Sequence, residues 1–347
     1  MKVSRLLSVL LALLMLTGCT KDTANTPNQT DGEVHSVTLF AMDTVMELTV
    51  YDGEGEAALE QAAELISRLE GLLSTTDVNS EIYAANHSGG NPVALSDDTG
   101  QLLKLALSMC RDTAGALDIS IYPVVRTWGF TTGQYQVPDG ETIASLLELV
   151  DYTRVSLEER ALTVPDGMEI DLGAVAKGYT GDRILDLFRQ SGVTSAKVNL
   201  GGNLQMLGAK TDGALWRVAV QDPTGDGYAG IVEVENKAVI TSGGYERYFE
   251  EEGVRYWHII DPATGRPAQS GLISVTIVTE SGVVGDALST ALFVMGKERA
   301  AEYWRGREDF DFILIGEDGS VTISEGIEDS FSLYGGWTSH DLEVIRR

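Results

Sequence analysis

Ala196-Lys197-Val198-Asn199-Leu200-Gly201-Gly202-Asn203-Leu204-Gln205-Met206-Leu207-Gly208-Ala209 reads as two short strands, 196–200 and 205–209, parted by a glycine turn. A third strand, 216–221, follows the next Gly-bearing turn, and the pattern continues at 231–235, 238–241, 247–249, 256–260 and 274–279. Strands 311–315 and 321–324 form a hairpin around Gly316-Glu317-Asp318-Gly319. Upstream the period changes. Residues 56–73 repeat Leu59, Ala62, Ala63, Ile66, Leu69 and Leu73 at helical spacing, and 80–86, 99–113 and 142–150 also read as helices. A single first strand is expected over 37–51, with Ala41-Met42-Asp43-Thr44 embedded in it, and strands 154–157 and 161–164 surround Glu158-Glu159-Arg160. Two further helices, 176–191 and 286–295, sit among the later strands. This segregation predicts an α+β fold rather than a doubly wound sheet.

The 347 residues are enough for one large core or two modest ones. Residues 1–18 read as a signal peptide: Lys2 and Arg5 make a basic start, an apolar run covers 6–16, and Leu16-Thr17-Gly18-Cys19 has the small residues of a processing site. A cysteine at that place looks like a bacterial lipoprotein box, so Cys19 is the expected lipidation site and new N-terminus. Residues 19–35 read as a flexible polar tether, 36–335 as the folded region with a soft division near 165, and 336–347 as a C-terminal tail. Cys110, the only other cysteine, falls in an apolar helical pattern and reads as a core residue. The formal charge is −27, and without Lys2 and Arg5 it is −29. Nucleic acid is therefore excluded as a partner. Any phosphate-bearing ligand must be held by a cation, backbone N–H groups or a few placed basic side chains.

In Gly285-Asp286-Ala287-Leu288-Ser289-Thr290 the carboxylate and hydroxyl are four residues apart, on one face of a helix. Two hard oxygen ligands so placed can share Mg²⁺, which takes further ligands from substrate phosphates. Asp171-Leu172-Gly173-Ala174-Val175-Ala176-Lys177-Gly178 puts an acid and a base over a strand-to-helix turn, where small residues admit a ligand and a helix N-terminus favours an anion. Asn199-Leu200-Gly201-Gly202-Asn203 and Thr241-Ser242-Gly243-Gly244-Tyr245 add glycine turns, and His258-Ile259-Ile260-Asp261-Pro262-Ala263-Thr264-Gly265 ends a strand in histidine before a Pro/Gly turn.

With Gly115-Ala116-Leu117-Asp118, Pro123 and Trp128-Gly129-Phe130, these segments resemble, in order and spacing, the ApbE family of flavin transferases, also called FAD:protein FMN transferases. The resemblance runs from about residue 40 to 296. It implies a T-fold-related α+β arrangement of antiparallel sheets with packed helices and an active site between two subdomains. It implies Mg²⁺ held by Asp286, Thr290 and the Ala174 carbonyl. FAD, the substrate, would contact Met42, Ala116, Leu117, Asp118, Asp171, Lys177, Ile260 and Ser289. The reaction it implies moves FMN from FAD to a Thr or Ser hydroxyl of an extracytoplasmic acceptor flavoprotein and releases AMP. His258 is the expected proton acceptor, with Asp286 as the alternative. The family is commonly membrane-tethered, in keeping with a lipid anchor at Cys19 on the extracytoplasmic, or periplasmic, face. An FAD pyrophosphatase giving FMN and AMP, or a non-catalytic flavin-binding lipoprotein, are the alternative readings. Three positions depart from the family pattern: Asp43 replaces the usual glycine of Met-Gly-Thr, Thr76 stands where an aromatic is common, and Gly244 stands where Asp or Asn is usual.

Overall fold

Nine strands enter the main sheet in chain order: His35–Ala41, Thr44–Val50, Ala196–Leu200, Asn203–Leu207, Ala238–Gly243, Leu272–Thr279, Phe310–Gly316, Val321–Ser324 and Leu342–Ile345. Every neighbouring pair is antiparallel except the last, where Val321–Ser324 runs parallel to Leu342–Ile345. This is a computed structural model, and it describes residues 34–347. The leader, Cys19 and nearly all of the tether lie outside the described residues. The described part forms one compact unit, and none of its helices is long and apolar enough to cross a membrane.

Seven helices are present among the described residues: α1 (Gly55–Leu73), α2 (Glu81–Asn86), α3 (Asp97–Asp112), α4 (Tyr122–Thr127), α5 (Gly140–Leu147), α6 (Ala176–Gln190) and α7 (Gly282–Arg305). Ser80, Ser96 and Asp139 cap α2, α3 and α5 by accepting the N–H three residues on, supplying a partner that the first helical turn lacks. In α1 the residues Ala58, Leu59, Ala62, Leu65, Ile66, Leu69 and Leu73 are buried, the stripe that its apolar spacing predicts. One face of the main sheet packs against helices including α1, α6 and α7 in the largest core, where Cys110 is buried as expected. The other face is covered by a three-stranded sheet of Phe331–Leu333, Tyr228–Val234 and Trp216–Gln221, through Val239, Val278, Ile313, Ile323, Trp216 and Phe331. Antiparallel strands with helices gathered on one side make the fold α+β, as predicted.

The stretch before α6, read as the strand side of a strand-to-helix turn, holds no strand, and three further expectations change. Residues 37–51 are two strands, turning at Met42 and Asp43, which take φ of 48° and 60°. A two-residue turn with both φ positive matches the strands' twist, but it normally needs Gly or Asn. Here Glu70 Oε1 accepts the Met42 N–H at 2.7 Å and steadies it. The helix expected over 286–295 starts four residues earlier and, beyond a break at Gly296 (φ 76°, ψ 171°), continues to Arg305. Within the stretch read as a tail, Leu342–Ile345 is an edge strand of the main sheet.

Candidate active site

α6 and α7 cross at their N-terminal ends more closely than side chains would allow. A Cβ on Gly178 would lie 2.2 Å from the Gly282 carbonyl oxygen and 2.8 Å from the Asp286 Cβ. Only glycine fits. The close approach brings the Gly178 N–H to Asp286 Oδ2 at 2.8 Å. Asp286 is 5% exposed, and among the described residues no protein hydrogen bond reaches its other carboxylate oxygen. One turn along α7, Thr290 is partly exposed. Ser242, near the end of Ala238–Gly243, places its Oγ 2.8 Å from Ser289 Oγ and 3.4 Å from Thr290 Oγ1. The predicted pair therefore shares a face of α7 and meets the end of a sheet strand. The fit to a divalent cation rests on this donor set: a carboxylate with one oxygen oriented and one available, beside a hydroxyl. Among the described residues no three His, Cys, Asp or Glu groups cluster to hold a metal without such help.

The turn before α6 supplies the facing wall. Asp171 Oδ1 accepts the Gly173 N–H at 2.9 Å, which curls the chain so that Ala174 lies in the turn just before the helix. The Asp171 N–H donates to the Ile119 carbonyl at 2.8 Å and ties this turn to the 116–121 segment. Asp171 and His258 are half-buried and Glu246 is exposed by surface area, yet protein atoms are dense around all three. Burial raises the Asp171 carboxyl above its ordinary range, against the backbone N–H groups of Gly173 and Leu172 and the charges of Lys177 and Arg247. Burial likewise pushes Glu246 up to about 7; Lys177 and Arg247 oppose the rise, and the neighbouring Asp286 charge adds to it. His258 is pushed down to about 4, by burial first and then by the positive charge of Arg247 and Lys177. Its Nδ1 lies 3.2 Å from the Arg247 carbonyl, which can only accept, so Nδ1 carries the proton and Nε2 keeps its lone pair. Among the described residues neither Lys177 nor Arg247 is in an ion pair. Two unpaired cations in so acidic a chain make a site for an anion.

Asp171, Lys177, His258, Asp286 and Thr290 are thus brought together. Met42 joins them through Thr180 of α6, whose Oγ1 is 3.9 Å from the Met42 sulfur. The remaining expected contacts offer little side-chain surface. Ala116, Leu117 and Asp118 are 6%, 4% and 7% exposed. Both Asp118 oxygens are occupied, Oδ1 by Ser120 N–H and Oγ–H and Oδ2 by the Tyr152 N–H. Ser289 is buried, its hydroxyl donating to the Asp286 carbonyl. Ile260 packs with Val124, Trp128 and Ile143 in a separate apolar cluster. Of the departures, Asp43 is exposed at the hairpin tip and Thr76 hydrogen-bonds locally to Ser74. At Gly244 a Cβ would come within 3.1 Å of the Trp257 ring, so the indole occupies the room an Asp or Asn would need. Glu246, Arg247 and Ser242 were not anticipated as site residues. The signal for Arg247 was a lone cation two residues past the Thr241–Tyr245 motif in an acidic chain.

A sequence profile of the ApbE family matches residues 42–314. The FAD:protein FMN transferase of Klebsiella pneumoniae (strain 342) is 36% identical over 302 residues, covering 85% of this chain and 93% of that one. The crystal structure of the ApbE protein from Thermotoga maritima superposes with a TM-score of 0.81 at 32% identity, over 86% of this chain and 99% of that chain. The apo flavinyl transferase ApbE of Pseudomonas stutzeri gives 0.78 at 27% identity, over 87% and 98%. On the extent of these matches and the fold they share, the chain belongs to the ApbE family.

Proposed function

We propose that the protein transfers FMN from FAD to a Thr or Ser hydroxyl of another protein, forming a phosphoester-linked flavin and releasing AMP. It is an enzyme of flavin transfer, as its family membership and its transferase relatives indicate. The observation that carries the finer reading is a buried Asp286 carboxylate, with one oxygen unbonded among the described residues, and two cations, Lys177 and Arg247, in no ion pair among those residues, all close enough to Glu246 to act on its carboxyl. Asp286, Thr290 and the Ala174 carbonyl are the residues to hold Mg²⁺, which when bound offsets the charge that develops on the diphosphate. Lys177 and Arg247 attract and orient the diphosphate in a chain whose net charge of −27 would otherwise repel it. His258 is unprotonated at neutral pH and presents Nε2, so it can accept the proton of the attacking hydroxyl. The hydroxyl oxygen bonds to the FMN phosphorus as the bond to the AMP phosphate breaks; the work is positioning and charge neutralisation.

The acceptor is an extracytoplasmic flavoprotein with a Thr/Ser motif, and Cys19 carries the lipid that holds the enzyme to the membrane on that side. One incubation tests the reaction: soluble domain, FAD, Mg²⁺ and a candidate acceptor, read by mass for an FMN-sized addition that EDTA abolishes. Release of AMP without any addition would instead establish a pyrophosphatase, and FAD binding without turnover a flavin-binding lipoprotein.

A further inference from the structure

Gln205 reaches from strand Asn203–Leu207 into the α6–α7 crossing and is 1% exposed. Its Nε2 donates to the Gly178 carbonyl at 2.9 Å and to Asn203 Oδ1 at 3.3 Å. Its Oε1 is buried with no hydrogen-bond partner among the described residues. A core position that tolerates an unpaired amide oxygen is costly, and an apolar side chain of similar length would avoid the cost. Two glycines are shaped around this one side chain: a Cβ on Gly181 would lie 2.1 Å from Gln205 Nε2, and one on Gly282 would lie 1.9 Å from it. On the far side of the crossing Asp182 of α6 grips the start of α7, accepting the N–H groups of Gly282 at 2.6 Å and Val283 at 3.0 Å.

Gly178 is therefore held at both ends of one residue. Gln205 takes its carbonyl, and its N–H meets Asp286 Oδ2. We infer that Gln205 is a positioning residue: by pinning the Gly178 carbonyl it aims the Gly178 N–H at one Asp286 oxygen and leaves the other oriented toward a divalent cation. The inference rests on the reading that Asp286 holds that ion. Groups that orient a metal's ligands without touching the metal commonly set its affinity by about ten- to a hundredfold.

Mn²⁺ binding to the folded protein, followed by the EPR signal of free Mn²⁺, tests it without any turnover. Gln205→Met keeps the length and removes the donor; it should bind Mn²⁺ about tenfold more weakly than the natural protein. FAD binding measured in EDTA should stay within about twofold, a selectivity that general loosening of the core would not give. Gln205→Asn keeps the amide but is one methylene too short to reach Gly178, so it should show the same loss and stands in if the Met variant does not fold. A folded variant that binds Mn²⁺ as tightly as the natural protein overturns the role of Gln205. If Asp286→Asn binds Mn²⁺ unchanged, the metal reading itself fails and takes this inference with it.

Discussion

Replacing Gly178 with alanine sets two effects against each other with opposite signs. Inside a helix, alanine is favoured over glycine by about 0.8–1 kcal/mol, so on local grounds the change stabilises α6. The crossing says otherwise. The new Cβ would lie 2.2 Å from the Gly282 carbonyl oxygen, where ordinary contact begins at 3.4 Å, and the obstacle is backbone rather than a side chain that can swing away. The helices must part by roughly 1 Å to relieve such an overlap, and overpacking of this kind costs about 1–3 kcal/mol. The same movement stretches the Gly178–Asp286 hydrogen bond from 2.8 Å to beyond bonding range. Loss of a hydrogen bond to a buried charged group adds about 1.5–3 kcal/mol. The net is a destabilisation of about 1.5–5 kcal/mol after the helix gain, or a fall in Tm of roughly 2–8 °C for a domain of this size. Thermal unfolding followed by circular dichroism reads it, with the Mg²⁺ concentration for half-maximal transfer measured alongside. A raised Tm with an unchanged Mg²⁺ requirement would show that the crossing is not the constraint described.

Asp286→Asn keeps an acceptor for the Gly178 N–H but removes the charge, so transfer measured by mass should fall at least about a hundredfold while the protein stays folded. Glu246 titrates above its ordinary carboxyl range, at about 7, so its folded form binds the proton more tightly than the unfolded chain does. The stability that Glu246 contributes is therefore full below the ordinary carboxyl range and is lost as pH rises through about 7; Glu246→Gln should lessen the decline in Tm between pH 5 and 8 by that share. The same variant should bind FAD more tightly than the natural protein at pH 8, because ionised Glu246 competes with the diphosphate for Lys177 and Arg247; fluorescence titration decides. Gly244→Asn should displace the Trp257 indole that fills its Cβ space, read as a red shift in tryptophan emission.

The parts of the fold legible in the sequence are those written in local periodicity or local turn chemistry. α1 and the hairpin of Phe310–Gly316 with Val321–Ser324 are examples. The turn at Met42 and Asp43 was hidden because alternation runs straight through it and its support, Glu70, is 28 residues away. Leu342–Ile345 was hidden for a similar reason: its partner strand is long-range and parallel. Gly296 punctuates α7 as a glycine should, but tertiary packing of Ala300, Ala301 and Trp304 resumes the helix beyond it. At the site, Asp286 and Thr290 were legible because helical spacing alone puts them on one face. Glu246 was not, since it sits in an exposed connection, and Arg247 read only as the start of a short strand. Gln205 reads as an ordinary alternating polar position of a strand, and only the three glycines packed near it reveal what it touches.

The proposed reaction depends on a divalent cation at Asp286 and Thr290 that joins an acidic protein to a dinucleotide diphosphate. A crystal grown with FAD and Mn²⁺, with anomalous scattering recorded to locate the metal, tests that most directly. The predicted result is one strong anomalous peak coordinated by an Asp286 oxygen, Thr290 Oγ1 and the diphosphate, with Lys177 and Arg247 turned toward the phosphates. A diphosphate bound elsewhere, or a metal peak away from Asp286, would contradict it.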